Sequence, residues 1–215
     1  MSGPWLNRLA LVLCVLALGL VVSGGLAAQA GGEAGTEAAL AWMGHVLFAG
    51  SALLLLATSK AWRADRVAVE DNGFPSLRSL GWVAPVSVLA QVALGAAYRH
   101  KLIGAIPHVV WAFVAAMVVM LAGAFALGPA QGQLRKISIA MISAAGAQVV
   151  LGVAALLARI TGGEAGPVMK AAALMHVGTG SLVLGLTCGW AAWILRDAEP
   201  AGVSREELAV PGRQS

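Results

Sequence analysis

The chain has 215 residues, 59% of them hydrophobic and 11% charged, with a mean hydropathy of +0.83. A soluble domain carries about a quarter charged residues, so a water-facing globule is excluded and an integral membrane protein is implied. The formal charge of +4 and isoelectric point near 9.6 belong to its topology, not to a nucleic-acid partner, as the placing of the basic residues shows.

Six apolar runs, each near the ~20 residues that a bilayer crossing takes, lie at Leu9–Ala28, Ala38–Thr58, Leu80–Ala97, Ile103–Leu127, Ile137–Ala158 and Val168–Leu195. Polar or Gly/Pro-rich joints such as "AGGEAGTEA" and "GPAQGQLRK" separate them. The expected fold is all-α. Residues 1–62 form an N-terminal transmembrane hairpin, 63–79 a cytoplasmic loop, 80–196 an antiparallel four-helix bundle and 197–215 a charged, disordered tail. The first run also has the pattern of a secretory signal, with Arg8, an apolar core and A-x-A at Ala28–Ala30. Cleavage would leave five spans. Retention gives an even number, which agrees with a basic C-terminal tail inside.

Ten basic residues fall on one side of these spans: Arg8, Lys60, Arg63, Arg66, Arg78, Arg135, Lys136, Arg196, Arg205 and Arg213. Four fall on the other: Arg99, Lys101, Arg159 and Lys170. The positive-inside rule then places both termini in the cytoplasm. Trp5, Trp62, Trp82, Trp190 and Trp193 are expected in an inner aromatic belt, with Trp42 and Trp111 near the outer face. Cys14 and Cys188 lie within apolar runs and no CxxC or CxxCH occurs, so neither a disulfide framework nor covalent haem attachment is indicated.

The four histidines carry the chemistry. His45, His108 and His176 each fall early in an inward-running span, at one depth in the outer leaflet, whereas His100 is in a short loop between Arg99 and Lys101. An imidazole in hydrocarbon is costly unless paired or ligated. Two axial histidines on facing helices are the economical way to hold haem iron in a bundle. A small residue, Ala49, Ala112 or Gly180, follows each one turn later and leaves room for a porphyrin. The competing use is an interhelical hydrogen bond. Zinc or copper would want thiolates or carboxylates nearby, and a proton or ion pathway would want intramembrane acids. The outer-side acids are only Glu33, Glu37 and Glu164. His100 reads as a solvated interface residue.

The third and fifth spans repeat one phrase, "AQVxLGxA", at Gln91 and Gln148, and each is followed by a loop and a histidine-bearing span. The duplication predicts two antiparallel hairpins that set His108 across from His176. The glutamines are expected to pack and hydrogen-bond between helices, and Leu-Gly to allow close approach.

"QVALGAAYRHKLIGAIPHVV" and "QVVLGVAALLARI…AALMHVGTGSLVLG" resemble the C-terminal half of the haem A synthase family, with weaker echoes in "LVVSGGL" and "HVLFAG". The resemblance covers about Leu80 to Leu195. It implies bis-histidine binding of a haem b by His108 and His176, with these as the iron ligands. It makes His45 a ligand in an N-terminal bundle and Arg99 a propionate partner. The implied activity is oxidation of the haem O methyl group to the formyl of haem A, for cytochrome oxidase assembly in a bacterial-type plasma membrane. Haem O and haem A would be substrate and product. Haem O synthase, oxidase assembly factors or a second copy are the implied partners. The chain is about two helices short of the family's eight, lacks loop cysteines seen in some members, and has Trp42 where the family carries an acid three residues before the histidine. The alternative is a non-catalytic cytochrome b-type electron-transfer subunit, or a scaffold, in a respiratory complex.

Overall fold

A computed structural model describes residues 32–64, 66–162 and 166–200, together with scattered helical positions between 5 and 20. The first apolar run lies largely outside the described residues, and so does the tail from 201 onward.

Five long helices account for the remaining runs: α1 Ala34–Thr58, α2 Leu77–Arg99, α3 Ala105–Leu127, α4 Gly132–Gly162 and α5 Pro167–Asp197. All five are long and apolar enough to cross a bilayer. The chain is thus an all-α, multi-pass membrane protein in its described part. Four of the five extend past the apolar run that announced them, because polar flanking residues continue the helical hydrogen bonding, whereas α3 starts two residues inside its run. Short joints fold the helices back on one another. His100 caps α2, Lys101 turns the chain in the left-handed region at φ 61°, and Gly104 precedes α3.

The last four helices pack in a cycle: α2 on α3, α3 on α4, α4 on α5, and α5 back on α2. The first helix, α1, lies outside that cycle against α2 and α5. Two contacts hold it on α2. The Nδ1 of His100 lies 3.0 Å from Glu37 Oε2, and the Trp42 indole N–H donates to the Leu89 carbonyl at 3.4 Å.

The end of the cycle away from the histidines is closely packed. Small residues let large ones in, as lipid offers no hydrophobic drive between helices and packing must supply the contact. A Cβ on Gly123 would stand 2.5 Å from Ile142 Cγ1. Trp190, Met141, Leu184 and Ile194 are fully enclosed. Trp190 was expected in an aromatic belt with Trp193. Instead it is 0% exposed, its N–H donating to Ser138 Oγ at 3.1 Å, and Trp193 is 7% exposed. Trp5 and Trp82 do face outward.

A polar clasp closes this end. A three-residue strand β1, Val69–Asp71, pairs in parallel with β2, Ala198–Pro200. The Asp71 carboxylate accepts the Leu77 and Arg78 N–H groups at 2.6 and 3.0 Å, capping the N-terminus of α2. Arg78 donates to the Ala198 carbonyl. The Arg196 guanidinium pairs with buried Asp197 at 2.7 and 2.8 Å and lies over the Trp62 ring.

Candidate functional site

His108 stands in the first turns of α3, just after Pro107, which the opening turn of a helix tolerates because its missing N–H has no partner there. His176 stands in the third turn of α5, which Pro167 opens. Both rings turn into the histidine end of the helix cycle. Their centroids are 6.4 Å apart and their planes cross at 87°.

Each ring is held by the helix that precedes its own. Gln91 Nε2 lies 3.1 Å from His108 Nδ1, and Gln148 Nε2 lies 3.4 Å from His176 Nε2. One turn beyond each glutamine is a glycine against the ring edge. A Cβ on Gly95 would come to 3.1 Å from His108 Cε1, and one on Gly152 to 3.0 Å from His176 Cε1. The repeated "QVxLG" is therefore a duplicated imidazole seat: the glutamine grips a nitrogen and the glycine clears the edge. The glutamines were expected as packing residues between helices. The repeat itself held the better clue, since a Gln and a Gly recur at fixed spacing before each histidine. Trp111, three residues after His108, adds a further rung by donating to the Ser87 carbonyl at 3.0 Å.

The seats leave polar atoms over. Gln91 Oε1, Gln148 Oε1 and His176 Nδ1 are buried and have no hydrogen-bond partner. Buried polar atoms are nearly always paired, so three at one place single it out as the candidate site. Few residues around the seats are buried. Among the described residues, α3 buries none before Ala115, α4 none after Ala145, and α5 none before Gly180, while α2 adds only Ala96 beyond Val88.

One ring has a companion that the repeat does not duplicate. Tyr98 stacks on His108 with centroids 5.7 Å apart, and Arg159 both lies over the Tyr98 ring and donates to its hydroxyl. Seven residues after Gln91 the chain has Tyr98; seven after Gln148 it has Ala155. Sequence reasoning did not single out this pair.

The other candidates lie apart. Arg99 is exposed at the end of α2, and it is Arg159 that reaches the site through Tyr98. His45 is on α1, outside the cycle, and among the described residues no ring contact joins it to the other two. Its Nδ1–H donates to the Ala41 carbonyl at 2.8 Å, which leaves Nε2 with the lone pair. The space one turn after His176 is not open: a Cβ on Gly180 would stand 3.0 Å from Gln148 Nε2, so that glycine makes room for the glutamine.

Comparisons with protein-family models, with curated proteins and with solved structures found no match to this chain.

Proposed function

We propose that this chain is a membrane haem protein of the haem A synthase type, with His108 and His176 as the axial ligands of a haem b. The spacing of the two rings carries the reading. Two metal–imidazole bonds of about 2 Å each, plus roughly 1 Å from ring centre to nitrogen on either side, put paired axial ligands about 6 Å apart. The observed separation is 6.4 Å.

The donor set agrees. Among the described residues no three His, Cys, Asp or Glu side chains come together. A bare zinc or copper ion needs more ligands than two imidazoles supply. A porphyrin brings four nitrogens of its own and asks the protein for two. Few residues around the histidines are buried, against the filled opposite end, which suits a site completed by a large planar group.

A bound haem b supplies one-electron oxidation and reduction. The chain's own part is to orient two imidazoles through Gln91 and Gln148 and to shield the His108 face with Tyr98. Arg159, joined to Tyr98, is better placed than Arg99 to meet a carboxylate at that end. The activity implied by the resemblance is oxidation of the haem O methyl group to a formyl, within an inner membrane with both termini cytoplasmic.

One observation favours a second reading, a cytochrome b-type electron-transfer subunit. Trp42, at the position where the family carries an acid, is tied to the Leu89 carbonyl and fastens α1 to α2. The purified protein should show a six-coordinate low-spin haem spectrum. Expressed with a haem O producer, it yields haem A by chromatography under the first reading and unchanged haem under the second. A protein that takes up no haem contradicts both.

A further inference from the structure

We propose that Gln91 and Gln148 are positioning residues that set which nitrogen of His108 and of His176 carries the proton and how each ring is turned. This rests on the reading of the pair as axial ligands.

Hydroxyl groups elsewhere in the spans bond back to their own helix. Ser51, Thr58, Ser138 and Thr187 each donate to the carbonyl four residues earlier. The two glutamines do otherwise. Each reaches across to an imidazole on the next helix, and each keeps one amide oxygen buried without a partner. A carboxamide used only as interhelical glue would turn that oxygen to a donor.

The amide itself can serve either imidazole tautomer. Its two ends are nearly the same size, so the group can present either one to the ring. With Oε1 turned to His108, the amide accepts the Nδ1–H and fixes the tautomer in which Nε2 keeps its lone pair. A hydrogen-bonded imidazole is also a stronger donor to a metal. Gly95 and Gly152 complete the device, because a side chain at either place would press on Cε1 and tilt the ring. The shorter contact, 3.1 Å at Gln91 against 3.4 Å at Gln148, makes the His108 seat the tighter one.

The test uses the full chain purified in detergent, with and without added haem b. Gln91→Leu should keep the low-spin spectrum, bind haem about ten- to a hundred-fold more weakly and show a raised reduction potential. Gln91→Glu, which keeps the shape and strengthens the acceptor, should lower the potential. Gln148→Leu should follow Gln91→Leu with a smaller change. Wild-type affinity and potential in both Leu variants would overturn the proposal. In the haem-free protein, imidazole nitrogen shifts by NMR should show the tautomer ratio of His108 altered by Gln91→Leu, and an unaltered ratio overturns it independently. If the wild-type chain takes up no haem, the axial-ligand reading falls, and the nitrogen shifts alone decide the glutamines' role.

Discussion

The two ends of the helix cycle are built on different terms. Away from the histidines, Trp190, Met141, Leu184 and Ile194 interlock over small residues such as Gly123 and Ala122, and the Asp71–Arg78 and Arg196–Asp197 contacts close the end. At the histidine end the same four helices bury almost nothing apart from Ala96 and Gly180, and the groups they turn inward are two imidazoles and two carboxamides. The first end can be judged by its packing density, as protein interiors usually are. The second cannot, because polar atoms remain unpaired there and few of its residues are buried. On the proposed reading, stability and function occupy opposite halves of the helix cycle, so substitutions in the two halves should fail in different ways.

The largest loss of stability is expected from Trp190→Ala in the packed half. Truncating a fully enclosed Trp costs about 3–5 kcal/mol, read as a lower unfolding midpoint in detergent. Gly123→Val comes next: a Cβ would stand 2.5 Å from Ile142, and overpacking of this kind costs about 1–3 kcal/mol. Haem binding per folded molecule should survive both. Gly152→Val reverses the pattern. Its extra carbons push the His176 ring from its seat, so haem occupancy should drop several-fold with the unfolding midpoint within about 1 kcal/mol of wild type. A Gly152→Val protein that unfolds like Gly123→Val would erase the distinction between the halves. Smallest of all is Arg99→Gln, exposed at the end of α2. It should change stability by under about 0.5 kcal/mol and leave the haem spectrum alone; loss of haem would bring Arg99 back into the site.

Much of the scaffold was legible in the sequence, because bilayer thickness turns apolar run length directly into helices. Five runs became α1–α5 with ends shifted by a few residues, and the duplicated "QVxLG" marked the two hairpins. What escaped were features that depend on which face a side chain takes. Trp190 and Trp193 stand near the C-terminal end of α5, where the sequence predicts an interfacial belt, but they face the core. Gln91 and Gln148 could be placed on helices but not aimed at imidazoles. Tyr98 and Arg159 lie 61 residues apart and outside the repeat, so neither period nor motif joins them. The β1–β2 clasp is three residues per strand, too short to leave a pattern.

The most direct test of the paired ligands uses their relative orientation. The planes of His108 and His176 cross at 87°. Crossed imidazole planes keep two iron d orbitals close in energy and give a strongly anisotropic low-spin EPR signal, whereas parallel planes split those orbitals and give a rhombic one. The oxidised, haem-loaded protein should show the anisotropic signal, and His108→Ala and His176→Ala should each abolish it. A rhombic or high-spin signal in the wild type, or an unchanged signal in either alanine variant, would contradict the account.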